Sequence, residues 1–170
     1  MRAATSRIAV VHRARSAISE SLLLYHGRAH MSKVATKTFQ VDTAGQDDAH
    51  DITDAAAKAV HHSGVRNGVA TIFVVGSTAG VTTIEFEPGA IADLNAVFER
   101  LAPRNGEYRH HLRWGDDNGS SHVRAALLGP SVTIPVVNGR LALGTWQQIM
   151  LLEFDTRPRQ RDIIVQLIGE

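Results

Sequence analysis

The chain has 170 residues, an ordinary length for one domain, and 44% of them are apolar, enough to build a sizeable core. It has no cysteine, which excludes a disulfide framework, a thiolate metal site and a cysteine nucleophile. The net charge of +1 is unevenly spread: residues 1–31 carry five Arg and one Glu, whereas residues 32–170 carry 13 basic and 16 acidic side chains. A mildly acidic main body is a poor surface for duplex nucleic acid, and no apolar run approaches the length of a membrane span.

The first 31 residues are rich in Arg, Ser and Ala. Three readings fit them: an organelle presequence, a flexible tail or extra helix, and translation that begins at Met31. The third is preferred, because SKVATKTFQV after Met31 reads as a conventional domain opening. The expected division is an N-terminal extension over 1–31 and one domain over 32–170. A secretory signal is not expected, since the apolar run SLLLY is short and follows the charges. The expected location is the cytoplasm.

Val34–Val41 alternates and predicts a half-buried strand. Asp51–Ser63 predicts a helix, with Asp51 or Thr53 as its cap, Ile52, Ala55, Ala56, Ala59 and Val60 at helical spacing, and Gly64 closing it. Val69–Val75 is a β-branched run that predicts a buried strand. A second strand, Val81–Phe86, follows a small turn. Pro88 opens a helix to about Leu101, and Pro103 ends it. A polar loop comes next, and Val123–Leu128 reads as either helix or strand. Ser131–Val137 predicts a strand, Asn138-Gly139 a two-residue hairpin turn and Arg140–Leu143 the returning strand. Trp146–Phe154 and Asp162–Ile168 predict a final antiparallel pair across TRPRQR, whose arginines read as a solvated turn. The count is about seven strands and two helices, with strands concentrated in the C-terminal half. That pattern indicates α+β rather than a wound parallel sheet.

The chemistry concentrates after Tyr108. His110, His111, Asp116, Asp117, Asn118 and His122 fall within thirteen positions. Imidazoles and carboxylates at that density suit metal binding, phosphate binding or proton transfer, and hydrogen-bonded loop residues are the plain alternative. Zinc and other divalent ions are taken by neutral imidazole, so histidines gathered in this way are open to metal ligation. Asp117 is a candidate second carboxylate, and Asp116 and Asn118 read as turn formers. Glu85 and Glu87 alternate, which on a strand places both on one face. Ser77, Thr78 and Gly80 form a small polar turn whose backbone N–H groups suit an anion. Arg124 is a candidate phosphate partner or a surface ion pair. Gln147 is a candidate polar contact, and Trp146 is a stacking surface or a core aromatic. His61 and His62 read as surface residues.

The stretches SHVRAALLGPSVTIPVVNGRLALGTWQQ at Ser121–Gln148, EFD at Glu153–Asp155 and the close at Arg161–Glu170 resemble the small YjbQ-like proteins, also called the secondary thiamine-phosphate synthase enzyme family. The resemblance covers nearly all of Lys33–Glu170. It implies an α+β sandwich of two sheets that assembles as a homotrimer. It also implies a transferase that condenses a hydroxymethylpyrimidine diphosphate with a thiazole phosphate and expels diphosphate. On this reading His110, His122, Asp117 and Glu85 are catalytic, His110 and His122, which match the two family histidines, are the ligands of a divalent metal ion, zinc or magnesium, and Thr78, Arg124 and Gln147 bind substrate. The alternatives are a metal-dependent phosphohydrolase and a non-catalytic trimeric binder of a small phosphorylated metabolite. Neither nucleic acid nor membrane is an expected partner. The chain departs from many relatives at Ser77-Thr78-Ala79, Glu85-Phe86-Glu87 and His110-His111, which implies a rearranged ligand set.

Overall fold

Alternation decides the first strand. β1 (Lys33–Thr43) turns Ala35, Phe39 and Val41 inward and leaves Val34, Thr36, Thr38 and Gln40 exposed. The computed structural model describes residues 32–170, so the expected N-terminal extension lies outside the described residues. The elements that follow are β2 (Ala49–Asp51), α1 (Thr53–Ser63), β3 (Gly68–Val74), β4 (Ala79–Ile84), α2 (Pro88–Leu101), α3 (His111–Trp114), α4 (Gly119–Leu128), β5 (Ser131–Val137), β6 (Arg140–Leu141), β7 (Gln148–Glu153) and β8 (Arg159–Gly169).

The strands form two sheets, a larger one in the order β1-β8-β3-β5-β6 and a smaller one in the order β2-β7-β4. Every pairing is antiparallel. The α+β two-sheet architecture is as expected, but the described residues hold eight strands and four helices rather than seven and two. Val123–Leu128 is helical, as part of α4. The Asn138-Gly139 hairpin is present: both residues have positive φ (52° and 76°), and Val137 pairs with Arg140.

One expected pairing is absent. β7 and β8 do not pair: β7 lies between β2 and β4, and β8 lies between β1 and β3. The TRPRQR segment is therefore a corner where the chain passes from one sheet to the other. Burial explains the separation. In β7, Ile149 and Leu151 face the layer between the sheets, while Met150 and Leu152 pack with Phe98 and Ala125 of α2 and α4. A strand covered on both faces needs the continuous apolar run IMLL. β8 is covered on one face and alternates, with Arg161, Ile163, Val165 and Leu167 inward. Each fully buried Ile or Leu in this layer contributes roughly 2 kcal/mol by transfer from water.

The helices are tied at their starts. The Asp51 carboxylate accepts from the Thr53 N–H at 2.9 Å, and the Thr53 hydroxyl accepts from the Ile149 N–H at 2.8 Å, docking α1 on β7. Glu87 caps α2 by accepting from the Gly89 and Ala90 N–H groups, which holds its carboxyl below the usual glutamate value.

Candidate functional site

The corner between β7 and β8 builds the polar centre of the protein. Glu153 ends β7 and is 1% exposed, while Arg161 on β8 is 7% exposed. The guanidinium grips the carboxylate with two bonds, Nε to Oε2 at 2.7 Å and Nη2 to Oε1 at 2.6 Å. Glu153 also accepts from the Thr43 hydroxyl at 2.8 Å and the Asp155 N–H at 2.8 Å, so its lone pairs are well satisfied. Arg161 Nη2 further donates to Thr78 Oγ1 at 2.7 Å, and the Thr78 hydroxyl donates to Asp155 Oδ2 at 2.9 Å. Burial pushes the Asp155 carboxyl up, but hydrogen bonds from Arg159, Thr78 and the Arg157 N–H outweigh it and hold the group below its ordinary value.

A cleft of about 340 Å³ opens beside this network, lined by the turn Gly76–Thr78, by Asp116, Asn118 and His122, and by Asp155, Arg159 and Arg161. Among the described residues, the backbone N–H groups of Gly76 and Ser77 have no hydrogen-bond acceptor, so this lining turn carries unpaired donors. Gly76 has φ +148°, and a Cβ there would sit 2.6 Å from Arg161 Nη1. A side chain at this position would press on the guanidinium edge.

Of the expected catalytic residues, His122 lines the cleft and His110 packs against it. The rings of His110 and His122 lie 4.6 Å apart, tilted by 39°. His122 sits in the first turn of α4 and not on a loop. His110 precedes α3, with Nδ1 3.4 Å from Asp116 Oδ1 and no hydrogen-bond partner. Asp116 also accepts from the Asn118 N–H at 3.2 Å, so it combines the turn-forming role with a place in the cleft. Asn118 is buried, its Nδ2 3.4 Å from Asp155 Oδ2 and its Oδ1 without a partner. His111 takes another direction and accepts from the Gly119 N–H at 3.2 Å, which secures the start of α4.

The other expected site residues are dispersed. Asp117 is exposed outside the cleft, 3.8 Å from His111 Nδ1. Glu85 and Gln147 follow Ile84 and precede Gln148, which pair at the opposite end of the small sheet from Ala79 and Glu153. At about 3.3 Å per residue, that end lies about 20 Å from the cleft. Gln147 donates to Thr83 Oγ1 and accepts from the Gly144 N–H, and the neighbouring Trp146 is 70% exposed rather than in the core. Glu85 and Glu87 follow the strand instead of lying on it, so the same-face expectation does not apply. Arg124 is buried away from the cleft; it donates to the Ala102 carbonyl at 2.9 Å and to Glu99, clamping α4 to the end of α2. Thr78 does line the cleft, with its hydroxyl committed to Arg161 and Asp155.

The donor set suits a divalent ion in its chemistry, since His110, His122 and Asp116 supply nitrogen and oxygen. The geometry does not form a cage: among the described residues, no three His, Cys, Asp or Glu side chains are placed to hold a metal.

Sequence reading missed Glu153, Asp155, Arg159 and Arg161. The signal was the phase of β8: Ile163, Val165 and Leu167 alternate inward, and two residues earlier the same face reaches Arg161.

The fold and the cleft define a two-sheet α+β protein with a polar pocket at one corner of the sandwich. The chain belongs to the UPF0047 protein YjbQ-like family, which matches residues 37–170. It is 40% identical over 122 residues to the UPF0047 protein sll1880 of Synechocystis, covering 71% of this chain and 83% of that one. A UPF0047 protein of Methanothermobacter thermautotrophicus is 36% identical over 138 residues, covering 81% and 94%. The crystal structure of a YbjQ-like protein of unknown function from Sulfolobus solfataricus superposes with a TM-score of 0.77 at 37% identity, covering 82% of this chain and 99% of that one.

Proposed function

We propose that the chain is a transferase of the secondary thiamine-phosphate synthase type. In that reaction a hydroxymethylpyrimidine diphosphate loses diphosphate as its carbon–oxygen bond breaks, and a carbon–nitrogen bond forms to a thiazole phosphate. The observation that supports this reading is the meeting, at one cleft, of the His110–His122 pair with the open N–H groups of Gly76 and Ser77. Backbone donors held by a sheet suit a phosphoryl group, because they keep their orientation as charge develops on the leaving oxygen. His122, at the cleft wall, is placed to give or take a proton there, with the His110 ring packed against its own. A divalent ion, zinc or magnesium, would enter with the phosphoryl oxygens of the substrate.

Hydrolysis of a small phosphorylated metabolite is the second reading. A cleft of about 340 Å³ is at the small end for two ring-bearing substrates, which favours a single phosphorylated ligand and water. The test is to incubate the protein with both thiamine precursors, and with each alone, and to measure thiamine phosphate, diphosphate and phosphate. Condensation predicts thiamine phosphate and diphosphate only when both precursors are present. Phosphate released from one precursor alone selects hydrolysis, and saturable binding without product selects a binder.

The proposal includes a homotrimer. The outer face of the larger sheet carries an in-register row, Val34–Ile168–Val69–Pro135, all exposed and uncovered by any described element. A contiguous apolar row of that kind suits a protein interface. The proposed location is the cytoplasm, a reducing compartment in keeping with the cysteine-free composition. No helix of the described residues is long and apolar enough to cross a membrane.

A further inference from the structure

Arg159 and Arg161 are alternate residues of β8, and both line the cleft. Each is backed by an acid from the far side of the corner. Glu153 holds Arg161, and Asp155 Oδ2 lies 2.9 Å from Arg159 Nε. Stapling the two sheets together requires only the first of these pairs. The second is differently placed. Asp155 is 2% exposed, whereas the Arg159 side chain is 44% exposed, so it is partly open to the cleft and to solvent.

We infer that Arg159 and Arg161 are the phosphoryl-binding pair of this cleft, with Arg161 fixed in place and Arg159 closing on the ligand. The inference rests on the proposed reading of the cleft as a phosphoryl site, and it names the side chains that hold the group. Three observations converge on it. Bidentate capture by Glu153 and a bond to Thr78 fix Arg161, so binding a ligand costs it little side-chain entropy. Its Nη1, which none of those bonds uses, lies against Gly76, where a Cβ would sit 2.6 Å away, and Arg161 is among the residues that line the cleft. The adjoining turn carries the unpaired Gly76 and Ser77 N–H groups, so charged and neutral donors lie at one cleft. The carboxylates in the cleft do not cancel this pattern. Asp155 is occupied by Thr78, Arg159, Asn118 and the Arg157 N–H, Asp116 accepts from the Asn118 N–H and lies 3.4 Å from His110 Nδ1, and Glu153, beside the cleft, is held by four donors of its own. A planar guanidinium fork suits an oxyanion with several acceptor oxygens.

The experiment is titration calorimetry of the full chain with inorganic diphosphate, comparing wild type, Arg159→Gln, Arg161→Lys and Arg157→Gln. Wild type should bind diphosphate saturably. Arg159→Gln should bind about tenfold more weakly, the loss of one charge-assisted contact, when measured well below its own melting temperature, which falls because Asp155 loses a charged partner. Arg161→Lys keeps the charge but loses the fork, and should weaken binding at least as much when measured well below its own melting temperature. Arg157→Gln removes the same charge from the same turn outside the cleft and should bind as wild type does. Unchanged binding by Arg159→Gln, or an equal loss in Arg157→Gln, overturns the assignment while leaving the cleft a phosphoryl site. A wild type that binds no diphosphate overturns both.

Discussion

Replacing Glu153 by Gln should cost about 3–5 kcal/mol, the typical effect of breaking a buried ion pair from one side. The carboxylate accepts four hydrogen bonds, from Thr43, the Asp155 N–H and two nitrogens of Arg161. An amide has one oxygen, so its NH₂ must face at least one of these donors, and the Arg161 charge loses its closest counter-ion. Asp155 Oδ2, at 3.8 Å from Arg161, compensates only in part. Against a typical total of about 5–15 kcal/mol, the variant should be marginal, with a melting temperature roughly 10 °C lower. Urea denaturation followed by circular dichroism measures the change as a lower midpoint at unchanged slope. Glu153→Leu combined with Arg161→Met should lose less than the sum of the two single variants, because it removes both buried charges together. A Glu153→Gln loss below about 1 kcal/mol would refute the view that this pair staples the two sheets.

Three further predictions concern the acids and histidines. Asp155 is held below its ordinary value when folded, so its stabilisation is present above the unfolded value of about 3.9 and disappears as pH falls through the lower folded value. Asp155→Asn should therefore be less stable than wild type at pH 7 and lose less on acidification, as seen in melts from pH 7 to pH 3. Glu87→Ala should fray the start of α2 and lower the melting temperature slightly without changing product formation, since Glu87 caps the helix and lies outside the cleft. His122→Ala should abolish product formation while the circular dichroism spectrum stays that of wild type; full activity in that variant would move the site elsewhere.

Local signals carried much of the fold. Asn138-Gly139 between the runs SVTIPVV and RLAL is a strong two-residue hairpin signal, and the hairpin is there. Pro88 and the apolar spacing after it bracket α2. What failed depended on layers. The segments IMLL and IIVQL both read as strands, but only contact with α2 and α4 on one side and the larger sheet on the other shows why they part company. The start of α4 was hidden because Gly119, Ser120 and Ser121 read as loop residues, although their burial beneath Tyr108, His111 and Phe154 makes them helical.

The site was half legible. The density of His110, Asp116, Asn118 and His122 marked one wall, because the residues are near in sequence and chemically conspicuous. The other wall comes from the β7–β8 corner. Its arginines resemble a solvated turn until the inward phase of β8 is followed back to Arg161. Arg124 misled for the opposite reason: a basic residue two positions after His122 points across α4 toward Glu99, away from the imidazole.

The most direct test of the central claim is a crystal structure of the protein grown with diphosphate. The account predicts diphosphate in the corner cleft, within hydrogen-bond distance of the Gly76 and Ser77 N–H groups and beside His122. Diphosphate seated only elsewhere, for example in the groove between β1 and α1 lined by Lys37, Lys58 and His62, with the corner cleft holding solvent alone, would contradict it.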